Sequence, residues 1–264
     1  MPSTGDERRT REKAGAGRRA TRSFAFALLA CLALAAPGRA ASAPPQLAGL
    51  PLEVHPPAGH ADTLVILMSG DGGWQPLDRA LAQRFAAAGL GVVGLDSLRY
   101  FFLEKTPARF ARDLDRIAFA YRRRWHAQHV VFAGYSFGAD AFPFAWPHLS
   151  ARTRGATRLV ALLGLVPAAD FRISLLEMLD IPSADDIPVA PALPSLPMEK
   201  TICIYGAEEK ATDNTACTAP ELDRAERIER PGGHHFDGDY ATLARIILRA
   251  IEARKAGLQH AINK

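Results

Sequence analysis

His129-Val-Val-Phe-Ala133 is a short apolar run that leads without a break into Gly134-Tyr-Ser-Phe-Gly138 and then into a helical stretch ending near Leu149. A strand that turns sharply into a helix across G-x-S-x-G is a nucleophile elbow. The turn is strained and crowded by neighbouring elements, which is why glycines flank the serine. Ser136 is then held clear of the sheet at a helix N-terminus, where negative charge is favoured. A chain built around such a turn needs strands and helices in alternation, with the serine at the edge of a mainly parallel sheet.

The rest of the sequence supplies that alternation. Residues 63–68 (Thr-Leu-Val-Ile-Leu-Met) are continuously apolar, the pattern of a strand buried on both faces. Residues 76–88 read as a helix, with Pro76 suited to its first turn and Leu77, Leu81, Phe85 and Ala88 on one face. Strands follow at 90–94, 129–133, 158–165, 201–205 and 225–229. Helices follow at 106–125, with Phe110, Leu114, Ile117, Tyr121 and Trp125 on one stripe, at 138–149 and at 240–255. The expected class is therefore α/β, a mainly parallel sheet flanked by helices in a single domain spanning 44–264. Residues 180–197 carry five prolines and read as an ordered surface excursion rather than a core element. Arg122-Arg-Arg124 reads as a solvated face at a helix end, where cations also suit the dipole.

The N-terminus reads as an address. A basic stretch ends at Arg22, thirteen apolar residues run from Phe24 to Ala36, and small residues follow at Gly38, Ala40, Ala41 and Ala43. This is the order of a secretory signal peptide over residues 1–43, with cleavage after Ala40 or Ala43. Leu28-Leu-Ala-Cys31 offers a second route, a lipoprotein anchored through Cys31. The formal charge of +4 belongs to this leader. Residues 41–264 hold 24 basic and 25 acidic side chains, so the folded part has no excess of positive charge for nucleic acid. An exported chain would keep two cysteines, Cys203 and Cys217, and an even count outside the cytosol points to one disulfide.

A serine needs a base, and the base an orienting acid; in this type of fold they follow in the order Ser, acid, His. The loop Pro231-Gly-Gly-His-His-Phe-Asp-Gly-Asp-Tyr240 lies after the last strand and offers His235, with His234 as the alternative. Gly206-Ala-Glu-Glu-Lys-Ala-Thr-Asp213 follows the strand at 201–205 and offers Glu209, with Asp213 as the alternative. Two backbone amides would bind the oxyanion, those of Phe137 and of Asp71, with Gly72 next after Asp71. The second pair lies in Ser69-Gly-Asp-Gly-Gly-Trp74, which lacks the lysine pattern of a phosphate-binding loop. No Cys/His group has metal-ligand spacing, and no metal or cofactor is expected.

Ser69-Gly-Asp-Gly-Gly-Trp74, Gly134-Tyr-Ser-Phe-Gly-Ala-Asp140, Cys203-Ile-Tyr-Gly-Ala-Glu-Glu209 and Gly232-Gly-His-His-Phe-Asp-Gly-Asp-Tyr240 together resemble the bacterial VirJ/AcvB virulence protein family, over residues 53–253. The resemblance implies an α/β-hydrolase-like fold and a periplasmic location. Members with an added N-terminal domain are linked to hydrolysis of lysyl-phosphatidylglycerol, and some members to type IV secretion. This chain is similar to the short, single-domain form. Residues 210–216 look longer than is usual for the family, so Glu209 and Asp213 both stand. The implied activity is that of a serine esterase acting on an aminoacyl phospholipid at the membrane surface. Asp71, Asp140, Asp237 and Asp239 lie beside the predicted loops, and Asp71 and Asp237 are the candidates for attracting an aminoacyl ammonium. Two other readings stay open: a non-catalytic accessory protein of a secretion system, and a hydrolase of soluble esters.

Overall fold

A computed structural model describes residues 44–169, 171 and 187–262, with side chains to 255. The expected leader at 1–43 and the first part of the Pro-rich segment lie outside the described residues. Among the described residues nine strands form: β1 Leu52–His55, β2 Thr63–Met68, β3 Gly91–Leu95, β4 His129–Tyr135, β5 Thr157–Leu163, β6 Ala168–Ala169, β7 Ile187–Pro188, β8 Thr201–Gly206 and β9 Glu226–Arg230. The helices are α1 Pro76–Ala87, α2 Ser97–Tyr100, α3 Pro107–Trp125, α4 Phe137–Ala145, α5 Ala151–Ala156, α6 Ala207–Ala211 and α7 Tyr240–Ile262. Seven strands make one sheet in the order β1-β3-β2-β4-β5-β8-β9. All pair in parallel except β1, which runs antiparallel to β3. The small β6 and β7 pair with each other.

The side-chain period of two divides the core between the faces of the sheet. On β2, Val65 and Leu67 join the cluster under α1 and α7, with Leu81, Phe85, Leu243 and Ile247. Leu64, Ile66 and Met68 join the other face with Phe110, Leu114 and Ile117 of α3 and Phe142 of α4. Every residue of β2, β3, β5 and β8 is buried, which explains the near-continuous apolar character of these strands; β5 also buries Arg158, paired with Asp62. Each buried Leu, Ile, Val or Phe contributes about 1.5–3 kcal/mol relative to exposure. The outer strand β9 is instead charged, with Glu226, Arg227, Glu229 and Arg230, chemistry that protects a sheet edge from further pairing.

Several boundaries differ from expectation. The helix expected to run to Leu149 leaves α geometry at Ala145, and Trp146–His148 form a 3-10 turn beside Pro147. β1, α2 and α5 carry too few residues to show a period. The described part of the Pro-rich segment lies at the surface, with Pro188, Pro191 and Pro194 exposed, but it is anchored: Val189 and Leu193 are fully buried and Leu196 nearly so. Its 3-10 turn at Ala190–Ser195 needs few amide donors, so proline is tolerated while the leucines pack inward. Arg122 is also more than a solvated charge. It donates to the carbonyls of Ala127 and Gln128, closing the end of α3 where His126 turns left-handed.

At the other end of the fold, α1 begins on a capping box. The Gln75 amide donates to Asp78 Oδ2 at 2.9 Å, and Asp78 is fully buried. Burial, opposed by that hydrogen bond, pushes its carboxyl up to about 7. Unfolded, the group ionises near 4. Between these values the folded chain holds a proton that the unfolded chain has lost, so stability present below about pH 4 is lost as pH rises through about 7. Urea titrations across that window should show the wild type losing up to about 4 kcal/mol more than Asp78→Asn; parallel curves would contradict this.

Candidate active site

The strand order places β3 on one side of β2 and β4 on the other, so the chain reverses direction across the sheet between them. Crevices for ligands open at such points, outside the carboxyl ends of the strands. The loops after β2 and β4 meet there. Ser136 has φ 50° and ψ −125°, a region that an L-residue adopts only under constraint. The constraint is packing. A Cβ on Gly134 would lie 2.5 Å from the Gly138 carbonyl oxygen, and one on Gly138 would lie 2.5 Å from that of Met68. Both glycines of the motif are therefore fixed by backbone contact, one to its own helix and one to β2.

His234 Nε2 lies 2.7 Å from Ser136 Oγ, and His234 Nδ1 lies 2.7 Å from Glu209 Oε1. Glu209 is buried on the first turn of α6, and its Oε2 accepts from the Gly206 amide at 2.7 Å. A carboxylate only accepts, so it faces the Nδ1 proton and leaves the Nε2 lone pair toward the serine hydroxyl. The two loops carrying these side chains touch: a Cβ on Gly206 would lie 2.5 Å from the carbonyl oxygens of Gly232 and Gly233. A Cys203–Cys217 disulfide, with Cα atoms 5.5 Å apart, ties β8 to the segment behind α6. That segment is further held by Ala216 N and Thr215 Oγ1, which both donate to the Leu165 carbonyl. A disulfide is the chemistry of an oxidising compartment. No helix among the described residues is long and apolar enough to cross a membrane.

Three expectations about these groups need correction. The histidine against Ser136 is His234, not His235. The His235 ring turns away, and its Nδ1 lies 2.9 Å from the Tyr135 hydroxyl. Asp213 is exposed on a left-handed turn and makes no contact with either histidine among the described contacts, so Glu209 is the carboxylate in place. Gly72 donates its amide to Asp71 Oδ1 at 2.9 Å, which removes it as an oxyanion donor. Asp71 lines the cleft, and Phe137 opens α4 directly after Ser136, where an amide has no intrahelical acceptor.

Of the surplus carboxylates only Asp71 faces the cleft. Asp140 is buried and accepts from the Val166 amide at 2.9 Å; burial holds its carboxyl well above the usual range. Asp237 is exposed, folded over Gly232 and outside the cleft lining. Asp239 caps α7 through the Thr242 amide and pairs with Arg230.

The cleft has a volume of about 630 Å³ and is open to solvent. Gln75, Tyr135, Asn214 and Tyr240 also line it, none of them expected from sequence. Tyr135 could have been: it is the variable residue before the serine, and its side chain packs 5.3 Å from the His234 ring, centroid to centroid. Burial raises its hydroxyl above the ordinary tyrosine range.

A parallel sheet with a strained serine after its central strand, an acid after β8 and a histidine after β9 is an α/β-hydrolase fold. Solved structures agree. A dienelactone hydrolase from Anabaena variabilis superposes with a TM-score of 0.55 at 16% identity, covering 76% of this chain and 90% of that one. MenH from S. aureus gives a TM-score of 0.56 at 12% identity, covering 77% and 98%. Comparison with curated protein sequences gives no match. The family profile described as bacterial virulence protein (VirJ) matches residues 62–255, and the chain belongs to that family.

The two adjacent histidines separate cleanly by experiment. With any activated ester, His234→Ala should lower kcat/KM by at least about 10³-fold and Glu209→Gln by about 10²-fold or more, whereas His235→Ala should stay within about tenfold. A larger loss at His235 than at His234 would reverse the assignment.

Proposed function

We propose that the chain is a serine esterase of the periplasm that hydrolyses an aminoacylated phospholipid such as lysyl-phosphatidylglycerol. The observation that carries the catalytic part is the unbroken run Ser136 Oγ, His234 and Glu209, each contact 2.7 Å, on a strained elbow. Ser136 Oγ attacks the ester carbonyl while His234 Nε2 takes its proton. The oxyanion is held by the amides of Phe137 and Asp71. His234 then protonates the departing lipid alcohol, leaving the aminoacyl group on Ser136. A water molecule, deprotonated by His234, releases the amino acid. Glu209 keeps the imidazole in the required tautomer and stabilises its charged form.

The substrate part rests on family membership and on one side chain. Asp71 brings a carboxylate to the cleft beside the reacting serine, where it can face an aminoacyl ammonium. The disulfide and the leader-like N-terminus support export.

Incubating the protein and Ser136→Ala with total bacterial lipids, followed by mass spectrometry, tests the whole reading. Aminoacyl-phosphatidylglycerol should disappear only with the intact serine, and a fluorophosphonate probe should label only that form. Labelling without lipid loss would leave a hydrolase of soluble esters, and absence of both would leave an accessory protein of a secretion system. Asp71 separates the substrates further. Asp71→Asn should lower kcat/KM for a lysyl ester about tenfold more than for a neutral ester of the same alcohol; equal losses would remove the cation from the argument.

A further inference from the structure

Phe102 and Leu103 are 71% and 69% exposed, the largest values among the large hydrophobic side chains described. They form the tip of the turn between α2 and α3, which leaves the carboxyl end of β3. The active-site loops leave the same edge of the sheet. The tip is pinned on both sides. Phe101 beside it is fully buried, stacked edge-on against Phe137 at 4.8 Å and Phe110 at 5.0 Å. Lys105 donates its amide to the Phe171 carbonyl at 3.1 Å. The preceding helix is bound to the cleft itself: Ser97 N donates to Ser69 Oγ and Ser97 Oγ to the Ser69 carbonyl. Phe102 and Leu103 are thus held outward by a scaffold that also frames Ser136. A pair of adjacent exposed apolar side chains on a rigid mount is a contact surface rather than an ordinary surface residue.

Cations surround the tip. Arg99, Lys105 and Arg109 line a groove of about 290 Å³ directly beside Phe102 and Leu103. Arg99 is exposed and makes no ion pair among the described residues. Lys105 Nζ sits over the Tyr100 ring at 5.4 Å and donates to the Leu103 carbonyl, so its charge is fixed at the tip. Arg109 and Arg116 both pair with the buried Asp113, and Glu104 is the one other carboxylate on the turn. Among the described residues, three cations and the one carboxylate Asp113 line the groove. An apolar tip ringed by positive charge fits the interface of an anionic bilayer, where apolar side chains enter the acyl boundary and cations meet the headgroup phosphates.

We infer that the turn at Phe102–Leu103, with Arg99, Lys105 and Arg109, docks the protein on an anionic phospholipid surface with the Ser136 cleft turned toward the headgroups. The surface stands on exposure and charge; its purpose rests on the lipid-esterase reading above.

Co-sedimentation of the full chain carrying Ser136→Ala with phosphatidylcholine vesicles, with and without phosphatidylglycerol, tests it. Binding should require phosphatidylglycerol. Phe102→Ser with Leu103→Ser should weaken it at least about tenfold, and Arg99→Gln or Lys105→Gln about fivefold each, an effect that salt suppresses. With Ser136 intact, the double variant should cleave a soluble nitrophenyl ester at the wild-type rate while losing hydrolysis of vesicle-embedded lipid. Binding that ignores both the tip and the lipid charge overturns the inference. So does a double variant whose only change is lost self-association in sedimentation velocity, which would make the tip a contact between copies. If lysyl-phosphatidylglycerol in detergent micelles is cleaved but no chain binds vesicles, the docking surface falls and the esterase stands. If vesicles are bound through the tip but no lipid is cleaved, docking stands and the substrate assignment falls.

Discussion

The contact between Gly138 and the end of β2 is the constraint on which the site depends. With no side chain at 138, the first turn of α4 settles against the carbonyls of Met68 and Ser69. That contact forces the chain to turn within one residue, and Ser136 takes up the strained dihedrals. It also brings the loop after β2 beside the serine: a Cβ on Gly70 would lie 3.3 Å from that of Ser136. The loop after β2 and the turn after β4, far apart in sequence, become neighbours through this one approach of backbone to backbone.

A second close approach completes the arrangement. Gly206 allows the loop after β8 to touch the loop after β9, and Glu209 and His234 are presented to each other across that contact. The supports behind each loop are different. The acid loop has the disulfide and the hydrogen bonds to Leu165; the histidine loop rests on Tyr135 below and on Gly164, whose missing Cβ would meet the imidazole at 2.9 Å. Rigid support from separate directions is what holds a proton-transfer chain at hydrogen-bond length.

The same edge of the sheet carries both the cleft and the exposed apolar tip, joined by Ser69–Ser97 and Phe101–Phe137. On the proposed function, a fold that presents Ser136 beside an apolar, cationic rim suits a substrate whose ester sits at the headgroup level and whose tails stay in the bilayer.

The sequence alone determined the elbow, the parallel sheet, the amphipathic stripe of α3 and the cysteine pair, because each depends on local pattern: apolar runs, helical period, glycine spacing and position after a strand; it left Glu209 and Asp213 both open, and the contact with His234 decided for Glu209. Which of two neighbouring histidines faces the serine is not local. Residues 234 and 235 project in different directions from one turn, and the packing of Gly164 and Tyr135 against that turn decides which ring reaches Ser136. The carboxylates show the same limit. Asp71, Asp140, Asp237 and Asp239 look alike beside their motifs, yet tertiary packing buries Asp140, folds Asp237 over Gly232, ties Asp239 to a helix cap and leaves only Asp71 in the cleft. The exposure of Phe102 and Leu103 was equally hidden. An apolar residue is read as core unless the fold leaves it exposed, as the described structure leaves these two.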